Sequence, residues 1–318
     1  MQEHLEKTVK GSRSTFRARK GRRREPFSIV SVCIAVVALV FMGSAIAAIV
    51  IGGISHFGDA LASAEIAFSL RMSVVTATIS TTLCLLLALP TAYALSRTKM
   101  PCKRLAGILM ELTLSLPYIL LGFALLLIFS SPFGKGLKEL GFAVVFQPTG
   151  IVFAQLIVNL PFAIRMVRTA FDALDPRMEF VSRTLGASSW RTFRSIVLPL
   201  TRNSIISTAV LTWARAMGEF GATLMLVGVT RMRTETLPGS IYLSISTGNN
   251  DVAMATAMIM LIVSAATLVV ANVLSKPIGA SRVGGRTTKG RRFVSRALEP
   301  ERAADLADIP FEEDSYGR

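Results

Sequence analysis

Arg215 and Glu219 stand four residues apart inside a long apolar run, from about Asn203 to Val229. On a helix that spacing puts both side chains on one face. A charge held so deep in an apolar segment requires a partner, because burial without one is costly. Two roles are open to the pair. It is either a structural ion pair that fixes helix packing, or a source of positive potential beside a path for an anion. Gly218, Gly221 and Thr223, with Ala214 and Ala222, give the same segment a small-residue surface that lets another helix approach closely.

A second constellation lies between residues 175 and 199, outside the apolar runs. Asp175-Pro176 is a helix-start signal, an N-cap acid followed by proline at the first helical position. Met178, Val181 and Leu185 then recur at helical spacing. Gly186 can end that helix in a left-handed conformation. Ser188 can cap a second short helix whose Trp190, Phe193 and Val197 again share a face, and Leu198-Pro199 is expected to end it. The spacing predicts two short helices joined by a glycine elbow, with aromatics and arginines at a membrane surface. From residue types alone two readings stand: an amphipathic hairpin lying on anionic lipid, or a knob for a groove on a partner chain.

Other chemistries lack residues. There is no Gly-x-x-x-x-Gly-Lys-Ser/Thr to cradle ATP phosphates, no His-Glu-x-x-His and no Gly-x-Ser-x-Gly. The two histidines are His4 and His56. Cys33, Cys84 and Cys102 form no metal-site spacing and read as reduced structural residues. No resident metal or cofactor is expected.

The elements that must hold these constellations are membrane-spanning. Of 318 residues 52% are hydrophobic and 17% charged, and the mean hydropathy is +0.54. Soluble domains carry roughly a quarter charged residues. Apolar runs occupy about 27–54, 66–95, 106–129, 150–167, 203–229 and 252–274. Each reads as a span, giving an all-α protein with six transmembrane helices. The first is about twice the length of a signal-peptide core, so it reads as an anchor that is kept. Residues 1–26 and 275–298 are basic and 299–318 mostly acidic, and both ends read as tails without regular structure. Residues 230–251 read as a polar loop.

The net charge is +15. Its placement beside apolar runs argues for a topology signal and membrane lipid, not nucleic acid. Of the 35 Lys/Arg, 29 fall in the two tails and in the loops around 97–104 and 165–202. Five fall on the opposite side. That bias puts both termini in the cytoplasm.

The elbow resembles the coupling loop of ABC-importer permeases, whose pattern is Glu-Ala-Ala, three residues, Gly, nine residues, Ile-x-Leu-Pro. Gly186, Ile196, Leu198 and Pro199 match it. Phe180, Val181 and Ser182 stand where the family has Glu-Ala-Ala, and Glu179, one residue earlier, is the candidate acid. Leu89 to Arg97, Trp213 to Leu226 and Thr236 to Leu243 are similar to segments of oxyanion permeases, the last two most like those for molybdate. The resemblance covers about residues 66 to 274. It implies a permease domain at 27–274 with its coupling loop at 169–202, in the cell inner membrane. It also implies a partner ATPase touching Glu179, Gly186, Ala187, Ser188, Trp190, Phe193, Ile196, Leu198 and Pro199. A second copy of the chain, two ATP-binding subunits and an external oxyanion-binding protein would complete the importer, with ATP used only by the partner. The cargo expected is molybdate, with tungstate or sulfate close to it. An ion-coupled transporter or channel is the alternative, and it needs acidic coupling residues inside spans, for which Glu219 is nearly the only candidate.

Overall fold

The computed structural model describes residues 26–274, in which every regular element is helical and no strand occurs. The expected tails at 1–25 and 275–318 lie outside the described residues.

The first apolar run forms α1 (Pro26–Gly53), exposed from Val30 to Ala48 in the single chain and packed at its C-terminal end, where Gly53 is buried against Met254 and Met258. A helix apolar on every side belongs in lipid or against another chain. A 3₁₀ turn (Ile54–His56) and α2 (Phe57–Ala62) lead into α3 (Ala64–Arg97), which holds Pro90 in its interior. Along α3 the hydroxyls of Ser69, Thr76 and Thr78 donate to carbonyls one turn back, so each finds an acceptor without leaving its helix.

The third run departs from the expected single span. It is two helices, α4 (Lys103–Ser115) and α5 (Tyr118–Ser130), bent by 111° at Leu116-Pro117. Proline disfavours helical geometry in the residue before it and removes a donor. After α6 (Pro132–Glu139), α7 (Pro148–Asp172) realises the fourth run, with Pro161 inside an unbroken helix.

The segment after α7 is helical almost throughout. α8 (Pro176–Thr184) is followed by α9 (Ser189–Thr192), a π-helical turn (Phe193–Val197) and α10 (Leu198–Met217). Leu198-Pro199 therefore opens α10 where the sequence predicts a stop. Proline is tolerated in a first helical turn because the missing donor has no obligatory acceptor there, and the π turn widens the backbone just before it. The fifth run also breaks: α10 ends at Met217, and α11 (Gly221–Val227) begins after three non-helical residues.

Residues 230–251 are not an open loop. They contain α12 (Leu237–Ser246), with Leu237, Gly239, Ser240 and Ser244 buried, and Leu237 N donates to Ser73 Oγ of α3 at 2.8 Å. α13 (Asn250–Leu274) closes the described chain. Among the described residues four helices are long and apolar enough to cross a bilayer, and the bent α4–α5 pair is a possible fifth crossing. Six straight spans are not found, because the third and fifth runs are interrupted.

The described residues form two compact units. One comprises 26–80, 115–158 and 215–265; the other comprises 81–114, 159–214 and 266–274. The first has a core of Leu121, Leu125, Ile151, Ala154, Ala222 and Leu226, among others. α5 and α11 pack so closely there that a Cβ on Gly122 would lie 2.4 Å from the Ala222 carbonyl oxygen. Of the small residues singled out in the fifth run, Ala222 makes this approach, and its counterpart on α5 is Gly122.

Candidate functional site

The elbow is built from local signals. The Asp175 carboxylate accepts from Arg177 N at 2.9 Å and starts α8, with Pro176 at its first position. At the other end Gly186 has φ +86°, Gly186 N donates to Arg183 O at 3.0 Å, and Ala187 N donates to Ser182 O at 3.1 Å. That bonding pair is a Schellman closure, which wants glycine at its left-handed position. The Ser188 hydroxyl accepts from Arg191 N at 3.3 Å and starts α9.

The elbow presents apolar surface to solvent. Leu185 is 82% exposed, Trp190 68% and Val181 54%. Val181, Leu185, Gly186, Ala187 and Ile196 are among the residues around an open depression of about 460 Å³. Trp190 stacks on Phe193, with ring centroids 5.8 Å apart. Phe193 in turn meets Tyr93 of α3 and Phe171 of α7 edge-on, at 5.0 and 6.1 Å. Leu198 is half-buried, and Pro199 and Ser188 are exposed.

Glu179 faces inward. Its Oε1 accepts from Arg97 Nε at 2.7 Å, and both side chains are largely buried. The sequence reading quoted Arg97 without giving it a role. No local signal links it to Glu179, because 82 residues separate the two.

The other constellation is corrected. Arg215 and Glu219 do not share a helix face, since α10 stops at Met217. Instead, the Glu219 carboxylate accepts from Ala222 N at 2.7 Å, from Thr223 N at 3.1 Å and from the Thr223 hydroxyl. Those amides are orphan donors of the first turn of α11, so the carboxylate caps a helix inside the apolar run. Arg215 Nη2 donates to the hydroxyl of Tyr118, the first residue of α5, at 2.8 Å. The carbonyl of Ala216 accepts from Glu219 N at 3.2 Å across the break and from Gln155 Nε2 at 2.9 Å. Gly218 is exposed at the break, and Gly221 lies against Tyr118 and Ile119. Tyr118 and Gln155 were missed by sequence reasoning, which saw only residues of the fifth run. Among the described residues no group of three or more His, Cys, Asp or Glu is placed to hold a metal ion.

Residues 90–277 match the family described as binding-protein-dependent transport system inner membrane component. The molybdate/tungstate transport system permease protein of Thermococcus kodakarensis is 39% identical over 158 residues, 50% of this chain and 60% of its own length. The molybdenum transport system permease protein of Mycobacterium tuberculosis is 37% identical over 214 residues, 66% of this chain and 80% of its own length. Among solved structures, a chain of a bacterial alginate ABC transporter, in complex with alginate pentasaccharide-bound periplasmic protein, superposes with a TM-score of 0.63 at 16% identity. The match covers 80% of this chain and 95% of that one, and the likeness is one of fold.

Proposed function

The chain belongs to the family of binding-protein-dependent transport system inner membrane components, and from that premise we propose that its cargo is molybdate, with tungstate and sulfate as the neighbouring oxyanions. The protein is a multi-pass inner-membrane permease subunit of an ATP-driven importer, and it is not itself an enzyme. The observation that carries the cargo is the 37% identity over 214 residues to a permease named for molybdenum transport. The proposed complex holds two copies of this chain, two ATP-binding subunits and an external oxyanion-binding protein.

The ATPase docks on the elbow at 175–199. Water disfavours the bare apolar surface of Val181, Leu185 and Trp190, and a partner groove would cover it. ATP binding closes the two ATPases, the elbows move with them, and the dimeric pathway turns from inward to outward access. The bias of 29 Lys/Arg against five supports both termini, and the elbow, lying in the cytoplasm.

The test is uptake of radiolabelled molybdate into proteoliposomes that hold this chain, its ATPase and its binding protein. Uptake should require internal ATP and be competed by tungstate more strongly than by sulfate. Uptake without ATP, or a preference for sulfate, overturns the assignment.

A further inference from the structure

Arg97 is the last residue of α3, and its guanidinium engages two other elements at once. Nε donates to Glu179 Oε1 in α8 at 2.7 Å. Nη2 donates to the carbonyls of Phe171 and Leu174 at 2.7 and 3.0 Å. Phe171 lies in the last turn of α7 and Leu174 in the link that follows it, and the Phe171 carbonyl also accepts from Leu174 N at 3.1 Å. The neighbouring Ser96 hydroxyl donates to Asp172, the last residue of α7. The Arg97 and Glu179 side chains are only 14% and 12% exposed, so each charge is held by its partners more than by water. A planar fork with five donors suits this three-acceptor site, and a lysine ammonium does not reproduce it.

Between α7 and α8 lie only residues 173–175. Left to itself, so short a link is a hinge: a push on α8 would turn it about the link without moving α7. Arg97 pins the link, holding the last turn of α7 at Phe171, the link itself at Leu174 and the first turn of α8 at Glu179. The rings of Tyr93, Phe171 and Phe193 tie the π turn to α3 and α7 in the same way.

We propose that Arg97 is the positioning residue that joins the coupling elbow and the ends of α3 and α7 into one rigid body, so that displacement of the elbow moves those helices. The inference rests on the reading of 175–199 as the ATPase-docking elbow. It adds the element through which the motion leaves that elbow.

The experiment uses the assembled transporter in proteoliposomes and reads molybdate imported per ATP hydrolysed. Arg97→Ala should lower that ratio at least tenfold while ATPase co-purification and hydrolysis persist. Arg97→Lys should fall between Arg97→Ala and the unaltered protein. Glu179→Ala should lower the ratio too, and the double change should be no worse than Arg97→Ala alone. Lys99→Ala, an exposed neighbour, should change nothing. The ratio is read only on assembled complex, so variants that assemble poorly are still scored on the fraction that does. Gly186→Val serves as the elbow control. An unchanged ratio for Arg97→Ala beside a lowered one for Gly186→Val overturns the transmission role and leaves the docking reading standing. Unchanged ratios for both overturn both readings. Losses at Arg97 and Glu179 that multiply in the double variant show that the two residues act independently, which also overturns the role.

Discussion

Glu219 shows how one residue's role changes with the end of a helix. Four residues after Arg215 on a continuous helix, it would be an ion-pair partner; within a break, two residues before α11, it is a cap. Replacing it with alanine leaves two buried backbone amides without their acceptor, at about 1–3 kcal/mol. Arg215→Ala removes a different bond, the one to Tyr118. In a double-mutant cycle on detergent-solubilised stability the two changes should couple by less than about 0.5 kcal/mol, as sites without shared partners do. A coupling of several kcal/mol would restore the ion-pair reading. Glu235, between α11 and α12, is a different case. It is fully buried, Oε2 accepts from Met232 N at 3.2 Å, and burial pushes its carboxyl above the ordinary value, with nearby Glu65 adding to the rise. A raised folded-state value means that the protonated form fits the fold. That contribution to stability is present below the ordinary value of 4.5 and is lost as pH rises through the raised one. Glu235→Gln mimics the protonated acid and should melt higher than the unaltered protein at neutral pH, with the gap closing as pH falls. A gap that does not change with pH would show that Glu235 is not titrating there.

At the scale of elements, the elbow depends on one backbone conformation. Gly186 has φ +86°, and a Cβ placed there would meet nothing within 4 Å. The penalty for a side chain is therefore conformational, not steric crowding by neighbours. A left-handed β-branched residue costs about 1–2 kcal/mol, enough to shift a surface loop without unfolding the spans. Gly186→Val should leave the protein inserted while ATPase co-purification falls. Gly186→Asn, which tolerates that conformation better, should retain more of it. Equal co-purification by all three proteins would remove the elbow from the ATPase interface. Gly122 is the opposite case, where space decides: a Cβ would run into the backbone of Ala222, so any side chain must push α5 and α11 apart.

At the scale of the molecule, the placement of charge carries the orientation. The 29-to-five bias predicts Ser189 on the cytoplasmic side and Thr247 outside. Single cysteines at these positions, in a background lacking Cys33, Cys84 and Cys102, should react with a membrane-impermeant maleimide from opposite sides. Ser189→Cys should label only in inverted vesicles and Thr247→Cys in intact spheroplasts. The reverse pattern would invert the topology, and labelling of both from one side would change the number of crossings. The apolar stretch of α1 from Val30 to Ala48 belongs at this scale too, because it is exposed among the described residues.

The local signals were legible because their physics is local. Apolar runs mark lipid-length helices, Asp175-Pro176 and Ser188 mark helix starts, and Gly186 marks a left-handed stop; each needs only a few neighbouring residues to act. The resemblance carried by Gly186, Ile196, Leu198 and Pro199 then led to the family. The fate of the prolines was not legible. Pro90 and Pro161 sit inside intact helices while the chain turns by 111° at Pro117. The same residue type gives both outcomes because a freed backbone group is tolerated only where surrounding elements satisfy it. The partners of Arg97 and Arg215 were hidden for the same reason. Glu179 lies 82 residues from Arg97, and Tyr118 lies 97 from Arg215. Spacing along a chain fixes which side chains share a helix face, but only tertiary packing brings two helix ends to one guanidinium.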